Sequence, residues 1–194
     1  MNFHVFYGKI IGQFRKKGLV KMKKVISILL VIFMLFSVCN AYVVFTDEVS
    51  YTTEEFQYVL KNSRSGLYDY AWTIIESGKY YGINPLYLLA KFGLESGWGT
   101  SYYFKNKNNI GGWRNYDGTF RDFDSVEDCI WHICEGLTEY NNKESWKYTG
   151  NDMEKICYRY CQDDGYYELM VSIMDELQDE IVEFRIENEK CLPC

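Results

Sequence analysis

A chain of 194 residues in which 47% are hydrophobic can bury one sizeable core and hardly two, so one compact domain is expected. Residues 1–41 hold seven Lys or Arg and no acid, which leaves 14 basic residues against 27 acidic ones and a formal charge of −13 for residues 42–194. No nucleic-acid partner is expected, because that needs a basic surface to displace counterions from phosphates.

The basic segment ends in Lys21, Lys23 and Lys24, and residues 25–39 are apolar except for Ser27 and Ser37. This order and size fit a signal-peptide core, with Val38-Cys39-Asn40-Ala41 ending in a small residue at a plausible cut. Met22 is a candidate start, and Cys39 is a conceivable lipidation site that the preceding Ser37-Val38 fits poorly. The alternative is an uncleaved anchor, since residues 42–45 prolong the apolar stretch toward the roughly 20 residues that span a bilayer. A membrane contact is therefore expected only through residues 25–45. Either way the bulk of the chain is placed outside, secreted or in the cell envelope.

Thr52 and Glu55 stand at the spacing of a reciprocal cap and open a first helix. A second is expected over residues 67–80, with Ala71, Trp72 and Ile75 on one face and Gly82 as a left-handed stop. Asn84 and Pro85 then start a third, whose Leu86, Leu88, Leu89, Ala90, Phe92 and Leu94 read as heavily buried, ended by Gly97 and Gly99. Glu95 falls in the last turn of this apolar helix. Burial and the negative end of the helix dipole both favour its neutral carboxyl, which is the form a general acid needs. An ordinary solvent-facing Glu at a frayed end is the bland alternative.

The segment Gly93-Leu94-Glu95-Ser96-Gly97-Trp98-Gly99-Thr100-Ser101 closely resembles the signature of the bacterial and phage endo-β-N-acetylglucosaminidases, glycoside hydrolase family 73. The resemblance continues through Gly82-Ile83-Asn84-Pro85, then Asn108-Asn109-Ile110-Gly111-Gly112, then Gly118-Thr119-Phe120-Arg121-Asp122-Phe123-Asp124-Ser125. A closing tyrosine-bearing segment with Ile156, Tyr158, Tyr160 and Cys161 is followed by Tyr166, Tyr167, Val171 and Ile173. It implies a mainly α, lysozyme-like helical domain over residues 52–183, with a small β-hairpin lobe as the opposite wall of a sugar cleft. Residues 42–51 are then a linker and 184–194 a tail ending in the Cys191/Cys194 pair.

The local sequence agrees with a hairpin: residues 113–114 and 119–123 suit two short strands, joined by a turn that holds Asp117-Gly118. Asp124 or Ser125 caps the next helix, with Val126, Ile130, Ile133, Leu137 and Tyr140 at helical spacing. His132 on that helix is expected to be structural. Arg121 is expected to pair with an acid to hold the hairpin. The six cysteines after Cys39 would suit disulfides in an oxidising compartment. No metal site is expected, because only His132 is available to complete one.

Cleaving a glycosidic bond demands protonation of a poor leaving oxygen and stabilisation of an oxocarbenium-like centre. The resemblance implies that Glu95 is the acid and that no cofactor is needed. For the second role three choices stand open: Asp117, the substrate's own N-acetyl group, or a water held by Tyr160, with Asp117 the least favoured. Trp98, Asn109, Trp113 and Tyr116 are the candidate substrate-binding residues, although Trp98 equally suits a core plug and Asn109 a loop cap. The expected partner is the peptidoglycan glycan strand, met by a monomer. Two rivals remain, a silent wall-binding or virion-structural module on the same scaffold and a lytic transglycosylase. The acidic charge supports the first, since it steers nothing toward an anionic wall.

Overall fold

The capping box at Thr52 forms, its hydroxyl accepting from the Glu55 amide at 3.2 Å while the Glu55 carboxylate accepts from the Thr52 amide at 2.8 Å. It starts helix α1, Thr53–Val59. The computed structural model describes residues 42–46, 50–163 and 165–190. The leader with its signal-peptide or anchor reading, Cys39, and the Cys191/Cys194 pair lie outside the described residues.

The second helix differs from expectation. Residues Asn62–Tyr70 form a 3-10 helix, and the α-helix, α2, covers Ala71–Tyr81. Within it the backbone passes close to that of Trp98, where a Cβ on Gly66 would lie 2.5 Å from the Trp98 carbonyl oxygen. Ala71, Ile74 and Ile75 face the core, whereas Trp72 is 59% exposed and not on the buried face.

Gly82 ends α2 at φ +64°, and Asn84 caps α3, Pro85–Ser96, by accepting from the Leu86 amide at 2.9 Å. From Pro85 to Gly93 every residue of α3 is buried, so this helix runs through the core. Only Leu94 and Glu95, before the buried Ser96, reach toward solvent. Helices α4, Tyr102–Lys107, and α5, Val126–Thr138, follow, the latter capped by Ser125. Helix α6 is Met153–Tyr160 and α7 is Tyr166–Lys190; α7 lies against α3, α1 and α6, and α5 against α2.

Helix α7 runs through the segment expected as a tail. Arg185 donates to both oxygens of Glu55 at 2.5 and 3.1 Å, and Phe184 packs on Tyr58 with ring centroids 4.8 Å apart. Burial pushes the Glu55 carboxyl up, but the Arg185 guanidinium and the Thr52 amide outweigh it and hold the group below its ordinary range. The segment expected as a linker is also partly core. Val44 is fully buried, Phe45 bridges to Ile83, and the Asn84 amide donates to the Val44 carbonyl at 2.7 Å.

The hairpin reduces to a tight turn. One antiparallel bridge joins Arg114 and Phe120, flanked by Asn115 N–H to Thr119 O at 2.8 Å and Arg121 N–H to Trp113 O at 3.0 Å. Cys129, Cys134, Cys157 and Cys161 are unbridged, and the first three are buried. They fill the core as small apolar groups, and burial pushes the Cys134 thiol up to about 12 and those of Cys129 and Cys157 to about 11. The disulfide expectation fails for these four.

Candidate active site

Where α3 surfaces, a cleft of about 820 Å³ opens. Leu94 and Glu95 form its floor, Gly112, Trp113, Arg114 and Phe120 one wall, and Tyr160, Asp163 and Tyr166 the other. Gly112 matters through its backbone, since φ +65° strains any side-chain-bearing residue, and it borders Glu95 Oε2, which a Cβ there would touch at 3.4 Å.

Tyr166 donates its hydroxyl to Glu95 Oε1 at 2.7 Å. Beneath lies Lys91, one helical turn before Glu95 and hence on the same face of α3. Its side chain is fully buried, and its Nζ stands 3.7 Å from Glu95 Oε1, 3.5 Å from the Tyr166 hydroxyl and 2.9 Å from the centre of the Tyr160 ring. A buried ammonium without partners would be very costly. Here a carboxylate and the negative face of an aromatic ring surround it. Burial pushes Lys91 down to about 8, against the opposing pull of Glu95. The Tyr160 and Tyr166 hydroxyls are raised far above their ordinary range, by burial first and then by the charge of Glu95, so both stay protonated and able to donate. Tyr160 donates a hydrogen bond from its hydroxyl to the Gly111 carbonyl at 2.7 Å, which fixes its ring over Lys91.

The residues expected to act with Glu95 separate into two groups. Tyr160 and Trp113 line the cleft. Trp113 reaches it because Gly136 leaves room, a Cβ there falling 2.6 Å from the Trp113 ring, and His132 supports the ring edge-on at 5.2 Å. His132 is structural, as expected: its Nε2 accepts from Arg121 at 3.1 Å, and burial with the nearby guanidinium lowers its pKa. Arg121 thus pairs with an imidazole and not with an acid.

Asn109, Trp98, Tyr116 and Asp117 do not line the cleft. Asn109 is buried and fully engaged with backbone, donating to the Trp113 and Arg121 carbonyls at 2.8 and 2.9 Å and accepting from the Trp113 amide at 2.8 Å. It holds the wall together. Trp98 lays its ring on Gly93, where a Cβ would come within 2.5 Å, and takes Arg64 at 5.1 Å, so it is a packing residue. Tyr116 projects into solvent at the turn tip. Asp117 is fully exposed beside it, accepting from the Thr119 hydroxyl and amide at 2.6 and 2.9 Å, bonds that lower its pKa.

Lys91, Arg114 and Asp163 were not singled out from sequence as site residues, and Tyr166 stood there only as part of the closing tyrosine-bearing segment. Lys91 had a signal, a lone charge in an apolar helix four residues before Glu95. The role of Tyr166 had none of that kind, since its place beside Glu95 depends on how α7 docks on α3. Among the described residues no three His, Cys, Asp or Glu side chains gather as a metal site would require.

Comparison with known proteins adds to this geometry. A family model described as "Glucosaminidase: Mannosyl-glycoprotein endo-beta-N-acetylglucosaminidase" matches residues 71–179, just over half of the chain. Two proteins of Streptococcus pneumoniae, from strains TIGR4 and R6, both provisionally named endo-beta-N-acetylglucosaminidase, are 31% identical over 143 residues, 70% of this chain. The match spans only 22% and 20% of their lengths. Among solved structures, S. aureus Autolysin E, determined in complex with the muropeptide NAM-L-ALA-D-iGLU, superposes with a TM-score of 0.56 at 17% identity, covering 72% of each chain. That likeness concerns the fold.

Proposed function

Because this chain belongs to the glucosaminidase family of glycoside hydrolases, we propose that it hydrolyses the β-1,4 bonds of the peptidoglycan glycan as an endo-β-N-acetylglucosaminidase, with Glu95 as the proton donor. The observation that carries this reading is the unequal treatment of the two Glu95 oxygens. Oε1 is taken by Tyr166 with Lys91 behind it, whereas Oε2, on the Gly112 side of the cleft, receives no hydrogen bond among the described residues. A proton on Oε2 points where a leaving glycosidic oxygen would lie.

In this reading Glu95 protonates the glycosidic oxygen as its bond to the anomeric carbon breaks, and a water finally supplies hydroxide to that carbon and a proton to Glu95. The turn lobe, read as the family's small second lobe, offers Arg114 and no acid to the cleft. That supports the substrate's own acetamido oxygen as the group that meets the developing positive charge, a recognised exception to the two-carboxylate rule. Asp163, the other carboxylate lining the cleft among the described residues, is the alternative.

Digestion of purified peptidoglycan, with mass analysis of the new ends, tests the proposal. New reducing N-acetylglucosamine is expected. Reducing muramic acid would make the protein a muramidase, anhydro-muramic acid a transglycosylase, and absence of product a binding module. Such a substrate lies outside the cytoplasm, and we propose export through the residue 1–41 leader. Cleavage after Ala41 would leave Tyr42 first, beside the buried Val44, and N-terminal sequencing of the cell-envelope protein would reveal it.

A further inference from the structure

Beside the cleft lies a second groove, of about 870 Å³, formed by the loop between α5 and α6, the outer face of α6 and the start of α7. Three aromatic residues stand exposed along it: Trp146 at 79%, Tyr158 at 60% and Tyr148 at 43%. Exposed aromatic groups clustered at a concave surface mark recognition sites more often than chance would place them. Trp146 and the loop that carries it and Tyr148 are also held in place. Arg159 donates to the Trp146 carbonyl, and its guanidinium stands 5.0 Å from the Trp146 ring. The loop is tied at its base by the Thr149 and Gly150 amides, which donate to the Tyr140 carbonyl at 2.9 and 3.1 Å. At its end Asn151 accepts from the Val44 and Phe45 amides at 2.9 and 2.7 Å and donates to the Phe45 carbonyl at 2.6 Å. A rigid ring platform binds without a large ordering cost.

We propose that this groove is a second saccharide-binding site, which holds the same glycan strand whose bond lies at Glu95. The inference rests on the glycan-hydrolase reading above. Aromatic faces suit the apolar C–H faces of pyranose rings, and the polar rim suits hydroxyl and acetamido groups. The charge at the rim suits uncharged sugars better than an acidic stem peptide. Asp152, Glu154, Asp163 and Glu168 border the groove against Lys147, Lys155 and Arg159, and of these cations Lys155 is engaged with Asp152 at 2.8 Å, Arg159 with a carbonyl, and Lys147 lies 5.8 Å from the Trp146 ring. The groove adjoins the cleft. Asp163 borders both, and α6 presents Tyr158 to one and Tyr160 to the other. A strand occupying both sites gains affinity through its high effective concentration at the second.

The full chain carrying Glu95→Gln, which cannot consume the ligand, is titrated with a peptide-free tetrasaccharide and with peptide-free strands of about ten sugars, the lactyl carboxyls of both converted to amides so that the strands are uncharged. The longer strand is expected to bind about tenfold more tightly. Trp146→Ala and Tyr158→Ala, each added to Glu95→Gln, should erase most of that gain, while Trp146→Phe should keep it. Absence of a length effect, or a length effect that neither alanine variant touches, would overturn the proposal. So would a dependence on Trp146 seen only with stem-peptide ligands. If Glu95→Gln still digests peptidoglycan, the parent reading fails instead, and the two failures are thereby separated.

Discussion

The hydroxyl of Tyr166 meets Glu95 Oε1 at 2.7 Å from a helix 71 residues further along the chain, while Lys91 of the acid's own helix stands 3.7 Å behind the same oxygen. One carboxylate oxygen is therefore held by the protein and the other left to the cleft. This arrangement makes the chemistry of Glu95 testable one neighbour at a time.

Replacing Glu95 by Gln removes the transferable proton and keeps the shape. Turnover of peptidoglycan should fall by about 10²- to 10⁴-fold, the usual contribution of general acid catalysis. The far-UV spectrum and unfolding midpoint should stay close to those of the unaltered protein. Undiminished digestion would remove Glu95 from the mechanism.

Lys91→Met should stabilise the fold while lowering activity. The ammonium has its pKa pushed down from 10.5 to about 8, chiefly by burial, so between those values the unfolded chain binds the proton more readily. The cost is complete below about pH 8 and fades as pH rises toward 10.5. Denaturant unfolding should thus show the variant ahead at pH 7, by at most on the order of 3 kcal/mol, with the gap closing in alkali. A less stable variant at pH 7 would mean that the pull of Glu95 exceeds the cost of burial.

Asp117→Asn should leave turnover nearly unchanged, because that carboxylate only closes a solvent-exposed turn with Thr119. Asp163→Asn separates the two routes to the second catalytic role. If the acetamido group serves, the loss should be small beside that of Glu95→Gln, and a comparable loss assigns the role to Asp163.

Asn109→Ala removes three hydrogen bonds of 2.8 to 2.9 Å from a buried position. A stability loss of about 2–3 kcal/mol is expected in urea, since the Trp113 amide and the Arg121 carbonyl lose their partner while the Trp113 carbonyl keeps the Arg121 amide. The wall carrying Trp113 should loosen with it, raising KM more than it lowers kcat. A loss confined to kcat, with stability intact, would return Asn109 to the substrate.

Much of the scaffold was legible because its signals are local. Thr52 with Glu55, Asn84 with Pro85, Gly82, Gly97 and Ser125 each start or stop a helix through bonds within a few residues, and each does so where expected. The motif around Glu95 likewise marked the acid without any knowledge of its surroundings. Legibility fails at Trp72, Asn109 and Trp98, where the residue type suits two environments and only packing selects one.

The order of the helices, their caps and the position of Glu95 at the end of an apolar helix are thus determined along the chain itself. What only the tertiary structure decided is the company Glu95 keeps. Lys91 is tolerable in the core because Tyr160 and Glu95 arrive beside it, and Tyr166 reaches the acid only once α7 lies on α3. The same docking buries Glu55 under Arg185, and the packing of the N-terminal segment turns Val44 and Phe45 into core. Those outcomes depend on contacts between residues far apart in sequence, where desolvation costs and their compensation are set by geometry that no local pattern encodes.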